Sequence, residues 1–213
     1  MEPNTLTPEE TAAGWRLLFD GTSLDGWRGF RRAHVPSGWH VDEGTLAFDP
    51  GRGEGGDLIT IDTFADFELR ISWKISPGGN SGIFLRVSED RTHTWETGPE
   101  FQVLDDERHA DGASPLTQAG ATYGLYPPTA HTVRPAGQWN DVHLRVVGPA
   151  VSYSLNGTPI VAYTLWSEEW EARVAGSKFS TMPGYGRNAI GHLSVQDHGD
   201  RVWYRGVKLR ALS

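Results

Sequence analysis

The chain has 213 residues, a formal net charge of −8 and an isoelectric point of about 5.4. This acidic balance argues against nucleic acids and anionic membrane surfaces as partners, because phosphate groups are bound by a cationic face. The lack of cysteine excludes disulfides, thiol nucleophiles and thiolate metal sites, and the 26 glycines and 13 prolines favour short strands joined by tight turns.

The amino-terminal segment predicts a short helix over residues 7–13. Thr7 is a suitable N-cap, Pro8 takes the first helical position, and Glu10 lies three residues after the cap. The stretch MEPNTLTPEE has neither the basic start nor the apolar core of a signal peptide, and no later stretch is apolar for long enough to span a bilayer. The sequence as given therefore predicts a cytoplasmic protein, unless a leader has been removed.

Alternating apolar and polar side chains then predict antiparallel strands. In FELRISWKI, residues 67–75, every second side chain is apolar. The stretch VSYSLNGTPIVAY predicts a hairpin with Asn156 and Gly157 at the turn, because both residues tolerate a positive φ. Gly206 in RVWYRGVKL predicts a β-bulge, and residues 167–172 predict a helical turn that Ser167 caps.

Many short strands without strand–helix–strand alternation predict an all-β fold. We expect two packed antiparallel sheets, a jelly-roll-like β-sandwich with a concave side. No tandem repeat or linker divides the sequence, so residues 1–213 are expected to form a single domain.

Three of the predicted strands carry polar side chains on one face. In GIFLRVS, Arg86 shares a face with Phe84; in EFQVL, Glu100 shares a face with Gln102; and in HLSVQDH, one face holds His192, Ser194, Gln196 and His198. A sheet with one apolar face and one face of Arg, Glu, Gln and His is either solvated or the floor of a groove that binds a polar ligand. The neighbouring aromatic-rich segments favour the groove.

The spacing of the acids argues against ordinary glycoside hydrolysis by two carboxylates. Glu100 and Asp105 fall on opposite faces of a straight strand, and Asp105 is expected to begin a loop, where it either bends inward or caps a turn. Sandwich glycosidases of the laminarinase type place acids in the pattern Glu-x-Asp-x-Glu, whereas the same register here holds Glu100, Gln102 and Leu104. No glycine-rich phosphate loop, Gly-x-Ser-x-Gly elbow or His-Glu-x-x-His pair is present.

Six segments stand in a fixed order between Gly14 and Leu212. They are GWRLLFDGTSLDGW, NSGIFLR, EFQVLD, GQWNDVHLRV, LNG and IGHLSVQDHG. Together they resemble the family formerly called domain of unknown function 1080 and now described as 3-keto-disaccharide or 3-keto-glycoside hydrolases. The resemblance covers almost the whole chain and implies a concanavalin A-like jelly roll that acts on a small carbohydrate.

The reaction that this resemblance implies needs no paired acids. A ketone at C3 of the sugar acidifies the hydrogen at C2, so a base can remove that hydrogen and expel the C1 substituent. Water then adds to the resulting enone. The route needs one base, a cation or hydrogen-bond donor for the enolate, and an acid or water for the leaving oxygen.

The resemblance implies a role for each candidate residue, by position within the matching motifs or, for Asp105, Tyr123 and Lys178, in the neighbouring loops. Glu100 or His198 is the candidate base, and Arg86 is the candidate stabiliser of the negative charge. The implied substrate-binding residues are Gln102, Gln196, Asp105, Tyr123 and Lys178. A divalent metal ion held by Glu100 and His198 is an alternative to Arg86, and no other cofactor is implied.

A non-catalytic carbohydrate-binding or lectin-like module is the main alternative to an enzyme, because the same sandwich commonly binds sugars. The predicted domain stands alone with no linker to a catalytic partner, which favours the enzyme. A structural or assembly protein would instead expose an apolar patch. The sequence specifies neither the leaving group nor an oligomeric state.

Overall fold

The computed structural model describes residues 3–212, which form two antiparallel sheets packed face to face. The thirteen strands in this range are β1 (Trp15–Leu17), β2 (Trp27–Gly29), β3 (Trp39–Asp42), β4 (Thr45–Phe48), β5 (Leu58–Thr60), β6 (Phe67–Ile75), β7 (Asn80–Val87), β8 (Glu100–Leu104), β9 (Asn140–Val147), β10 (Ala150–Leu155), β11 (Thr158–Thr164), β12 (His192–Val195) and β13 (Val202–Ala211). The two α-helices are α1 (Pro8–Ala12) and α2 (Glu168–Ala175), and three 3-10 turns cover Thr94–Glu96, Ala110–Ala113 and Lys178–Thr181. The predicted all-β sandwich is confirmed.

The order of the strands determines which polar faces lie side by side in a sheet. The larger sheet runs β11-β10-β9-β6-β13-β4-β3, with β1 paired to β13, and the smaller sheet runs β2-β5-β12-β7-β8. Strands β12, β7 and β8 are therefore neighbours, and these are the three strands whose polar faces stood out in the sequence. Side chains on the same face of neighbouring strands lie close together, so this part of the smaller sheet can build one site.

The core lies between the two sheets. The apolar residues of β6, from Phe67 to Ile75, are at most 3% exposed, as the alternation in the sequence predicted. Phe101 of β8 contacts Tyr153 of β10 edge to face, with ring centroids 5.4 Å apart. Because neighbouring side chains on a strand point to opposite faces, Glu100 and Gln102 point away from the larger sheet.

The predicted helices are confirmed, and both begin at their expected caps. The amide of Glu10 donates to Thr7 Oγ1, and the amide of Thr7 donates to the Glu10 carboxylate. Helix α2 begins after Ser167, whose hydroxyl accepts a hydrogen bond from the amide of Trp170, and it continues three residues beyond the predicted Ala172. Neither helix of the described residues is long and apolar enough to cross a membrane.

Two predicted turn features are also confirmed. Asn156 and Gly157 join β10 to β11 with φ values of 50° and 83°, which is the positive-φ pair that a type I′ hairpin uses. In β13 the pairing with β6 shifts between Arg205 and Lys208, around Gly206 with φ of 59°. This is the β-bulge that the sequence predicted at Gly206.

Candidate active site

A pocket of about 280 Å³ opens on the face of the smaller sheet that points away from the larger sheet. It is lined by six of the eight residues that the sequence singled out, namely Glu100, Gln102, Tyr123, Lys178, Gln196 and His198. The other two, Arg86 and Asp105, lie elsewhere. Strand β8 supplies the first two residues of the pocket, and the loops above the sheet supply most of its walls.

Glu100 forms part of the pocket floor and is only 7% exposed. Gly82 on the neighbouring strand β7 makes room for it, because a Cβ atom at Gly82 would lie 2.2 Å from Glu100 Oε1. No residue in the described range 3–212 donates a hydrogen bond to the Glu100 carboxylate. Burial therefore raises the pKa of Glu100 to about 8, against the opposing effect of the Lys178 ammonium and with a further increase from Asp57 and Asp111.

Three buried amide side chains line the same pocket with oxygens that lack partners. Gln102, Gln196 and Asn80 are 0%, 8% and 3% exposed. Among residues 3–212, no hydrogen bond reaches Oε1 of either glutamine or Oδ1 of Asn80, although Nε2 of Gln102 donates to the Thr117 carbonyl at 3.0 Å. A buried polar atom without a partner costs about 1–3 kcal/mol. Three of them facing one pocket fit a ligand that donates hydrogen bonds, such as a sugar with several hydroxyl groups.

Lys178 is held at the pocket by the aromatic residue that follows it. The hydroxyl of Ser177 accepts a hydrogen bond from the amide of Phe179, and the Phe179 ring stacks on Tyr185 with centroids 3.9 Å apart. This packing fixes the turn and places Lys178 Nζ 4.1 Å from the centroid of the Tyr123 ring. Lys178 as a whole is an exposed residue, but partial burial of its ammonium group lowers its pKa.

Tyr123 and Asp111 complete this wall of the pocket. The Tyr123 hydroxyl donates to Asp111 Oδ2 at 3.1 Å. Burial, with the negative charge of Asp111, raises the pKa of Tyr123 to about 12, so the phenol stays neutral and keeps its proton. His198 stands at the exposed rim of the pocket, with its ring centroid 6.2 Å from that of His109.

Arg86 does not line the pocket, so the prediction that it shares the face of Glu100 is wrong. Its side chain is 3% exposed, and its guanidinium donates to the carbonyls of Ala65 and Gly148 and to Asp66. Arg86 has a φ of 51°, and β7 carries one more residue than β12 at this point. This bulge breaks the alternation of side chains along β7, and Arg86 instead holds two loops together.

Asp105 is also outside the pocket, and of its two predicted alternatives the structure shows the turn cap. Its carboxylate accepts hydrogen bonds from the amides of Gly78 at 2.7 Å and Glu107 at 3.2 Å, and it pairs with Arg108 at 3.2 Å. All of these contacts lie in loops at the end of β8, so Asp105 organises the chain that leaves the strand.

Glu100 and His198 line one pocket, as a shared metal site would require. Within residues 3–212, however, no group of three or more His, Cys, Asp or Glu side chains is placed to hold a metal ion. A metal ion held by this pair would therefore take its remaining ligands from other groups, such as amide oxygens, substrate or water.

Four further residues that line the pocket were not among the predicted set: Asn80, Trp95, Asp111 and Met182. Asn80 lies on β7 two residues before Gly82, so the alternation that pointed to Glu100 also applied to it. The other three lie on loops, where no periodic pattern marks a side chain as facing a site.

The pKa of Glu100 predicts an effect of pH on stability. Because its folded-state pKa of about 8 lies above the ordinary value of 4.5, the folded protein loses stability as the pH rises from about 4.5 through about 8. The variant Glu100→Gln has no such loss. Its free energy of unfolding is expected to exceed that of the wild type above about pH 8 by roughly 3–5 kcal/mol, since one pKa unit equals about 1.4 kcal/mol.

Urea unfolding of both proteins at about pH 5, 7 and 9 measures this difference. The exposed Glu107 lies outside the pocket, so Glu107→Gln is a matched control that should follow the wild type at all three values. A difference between Glu100→Gln and the wild type that stays constant with pH would contradict the burial of an unpaired carboxyl.

The fold and the pocket together define a jelly-roll-like β-sandwich protein with a polar pocket on its smaller sheet. The chain belongs to the 3-keto-alpha-glucoside-1,2-lyase-like domain family, whose model matches residues 14–210. This confirms the family resemblance that the six ordered segments indicated.

Individual relatives agree with this assignment. A 3-keto-disaccharide hydrolase from Bacteroides thetaiotaomicron is 33% identical, over 99% of this chain and 83% of that protein. A crystal structure from Parabacteroides distasonis, provisionally named as a glycosyl hydrolase, has a TM-score of 0.92 and 32% identity, over 99% of both chains. A Bacillus subtilis protein of unknown function with a galectin-like fold, at a TM-score of 0.52 and 12% identity over 99% of this chain and 94% of that one, supports the fold alone. The family and the first two relatives support a carbohydrate-active function.

Proposed function

We propose that the protein hydrolyses 3-keto-glycosides, including 3-keto-disaccharides, by removing the C2 hydrogen, eliminating the C1 substituent and hydrating the enone. The observation that carries this proposal is the buried carboxyl of Glu100, which no residue of the described chain hydrogen-bonds and which has one ammonium group, that of Lys178, as a neighbour in the pocket. The relative named 3-keto-disaccharide hydrolase supports the same substrate class.

Glu100 is the base in this proposal. A carboxylate held away from water without hydrogen bonds is a stronger base than an exposed one, and the pKa of about 8 lets Glu100 both take and return a proton near neutral pH. The hydrogen at C2 needs such a base because it is only moderately acidic, even beside a ketone. His198, the other predicted base, lies at the exposed rim, where it is better placed to act on the leaving group.

Lys178, and not the predicted Arg86, stabilises the negative charge of the enolate in this proposal. Its ammonium group lines the same pocket as Glu100. The charge of each residue acts on the pKa of the other. When Glu100 removes the C2 proton, negative charge develops on the C3 oxygen, and a cation in a partly buried site stabilises that charge strongly. The amide oxygens of Gln102, Gln196 and Asn80 are free to accept hydrogen bonds from the sugar hydroxyls.

The proposed reaction is an elimination followed by the addition of water. Glu100 takes the C2 proton, and the electrons of the C–H bond form a double bond between C2 and C3 with the charge on the C3 oxygen. As the ketone re-forms, a double bond forms between C1 and C2, the C1–O bond breaks and the leaving oxygen takes a proton from His198. Water then adds its oxygen to C1 and passes one of its protons to His198, and Glu100 returns a proton to C2, so both residues regain their starting states and one water is consumed per bond cleaved.

Release of the leaving group from oxidised and unoxidised glucosides tests the proposal. The purified protein is incubated with a 3-keto-glucoside and with the parent glucoside, each with and without a chelator. We expect release from the keto substrate alone. Cleavage of the parent glucoside at an equal rate would contradict the elimination route, and sugar binding without cleavage of either compound would favour the binding module instead.

A further inference from the structure

A second pocket, of about 480 Å³, adjoins the first on the side of β5 and β12. The two pockets share Trp95, Gln196 and His198, which therefore stand at the junction between them. We propose that the second pocket is a leaving-group subsite and that it takes a second sugar ring. This inference rests on the proposed function and adds to it the residues that select the leaving group.

The junction fits the bond that the proposed reaction breaks. If the keto sugar lies over Glu100 in the first pocket, its C1 substituent leaves toward one end of that pocket. His198 lines both pockets, so the oxygen between the two rings would lie beside the imidazole that protonates it. An imidazole within reach of a leaving oxygen can act as its general acid.

A rigid aromatic pair forms one wall of the second pocket. The rings of His93 and Trp95 are stacked, with centroids 4.8 Å apart and planes 8° from parallel. Two hydrogen bonds fix the turn that carries them: the amide of His93 donates to Glu96 at 2.7 Å, and the hydroxyl of Thr94 donates to the carboxylate of Asp57. A preformed indole face can receive the apolar C–H face of a pyranose ring at little entropic cost.

The polar groups of this pocket favour a ligand that accepts hydrogen bonds. Both oxygens of Asp57 accept hydrogen bonds from the protein, and so do both oxygens of Asp197. In contrast, the guanidinium of Arg31 forms one long hydrogen bond, to the Arg91 carbonyl at 3.3 Å, and pairs with no carboxylate among residues 3–212. The carboxylate acceptors already have partners, and Gln196 Oε1 at the junction is an unpaired acceptor. The guanidinium of Arg31 still has donors to offer, so the hydroxyl and ring oxygens of a sugar suit this wall better than an alkyl group does.

Two variants test the subsite through substrate selectivity. The kcat/KM for a 3-keto-disaccharide is divided by that for methyl 3-keto-glucoside, whose leaving group is too small to fill the second pocket. His93→Ala and Arg31→Met are each expected to lower this ratio about ten-fold, the effect of losing one stacking or hydrogen-bonding partner. The control variants His34→Ala and Arg91→Met alter exposed side chains that line neither pocket and should leave the ratio unchanged.

A third substrate, an aryl 3-keto-glucoside, separates a sugar from an aromatic leaving group. An aryl ring can stack on Trp95 but accepts few hydrogen bonds, so Arg31→Met should lower the disaccharide ratio more than the aryl ratio. Equal losses for both would overturn the assignment to a sugar. Ratios that stay within about two-fold of the wild type in both variants would overturn the subsite alone, whereas failure of the wild type to cleave any 3-keto-glycoside would overturn the proposed function beneath it.

Discussion

The variant Glu100→Gln is expected to lower kcat for a 3-keto-glucoside by about 10²–10⁴-fold, the usual contribution of a general base. Glutamine keeps the shape of the side chain and has no ionisation to suppress on folding, whereas burial holds the pKa of Glu100 at about 8. The protein should therefore remain folded and become more stable at neutral pH. Steady-state rates, with thermal unfolding of the same preparation, measure both effects.

The matched control for this variant is Glu107→Gln, which changes an exposed glutamate outside the pocket and should retain full turnover. A Glu100→Gln protein that kept more than about a tenth of the wild-type rate would remove Glu100 from the mechanism. Loss of both folding and turnover would contradict the burial of an unpaired charge, since the amide should be tolerated better than the acid.

The variant Lys178→Met is expected to lower kcat by about 10²–10³-fold, which is typical for the loss of one group that stabilises an oxyanion. It should also move the pH dependence. The Lys178 charge lowers the pKa of Glu100, so without it the carboxyl stays protonated to a higher pH, and the rise of kcat/KM with pH should shift upward from about 8. A pH–rate profile of wild type and variant measures the shift.

Lys74 gives the matched control, because its ammonium lies between the rings of Trp139 and Trp203, 5.1 Å and 4.6 Å from their centroids, on the larger sheet. Lys74→Met should change neither kcat nor the pH profile. If Lys178→Met lowered the rate without moving the profile, the lysine would act at a distance from Glu100. If it did neither, another group would have to stabilise the enolate.

The position of the pocket could be predicted from the sequence because it lies on regular strands. Side chains along β8 alternate strictly, so a carboxylate and an amide at Glu100 and Gln102 had to share a face. The neighbouring segments with the same pattern prove to be adjacent strands, and the family resemblance supplied the loop residues Tyr123 and Lys178. Alternation is set by backbone geometry alone, which is why it predicted this part of the site well.

The role of Arg86 could not be predicted in the same way. One extra residue in β7 and one positive φ, at Arg86 itself, turn its side chain away from the pocket. Bulges of this kind depend on the pairing of strands that are distant in sequence, and a local pattern does not encode them when the residue is not glycine. The carbonyls that Arg86 binds, at Ala65 and Gly148, belong to two loops far apart in the chain.

Other residues were missed for the same reason, because their positions depend on contacts between parts of the chain that are distant in sequence. Trp95 and Asp111 reach the pocket from 3-10 turns whose approach to the sheet depends on long-range packing. Asp57 lies just before β5 and meets Thr94 across 37 positions of the chain. The sequence contains nine tryptophans, but the composition does not indicate which of them would line a pocket.

The unpaired amides and the buried Glu100 carboxyl cost the folded protein stability. Gln102, Gln196 and Asn80 are buried with an oxygen unpaired among the described residues, and Glu100 is buried as an acid. A core built for stability alone would place apolar side chains at these positions. A ligand that supplied the missing hydrogen bonds would offset this cost, as the proposed substrate would do in this pocket.

The fate of the hydrogen at C2 tests the proposed mechanism most directly. A 3-keto-glucoside with deuterium at C2 is incubated in ordinary water with the wild type, and with Glu100→Gln as the control for exchange that the enzyme does not catalyse. The elimination route predicts that the C2–D bond is broken in every turnover, so cleavage is slower than with the undeuterated substrate, and deuterium passes to water to the extent that Glu100 exchanges its proton before returning one to C2. Cleavage at the same rate as the undeuterated substrate, with the C2 deuterium retained in full, would contradict it, because the C1–O bond would then have been broken without removal of that hydrogen.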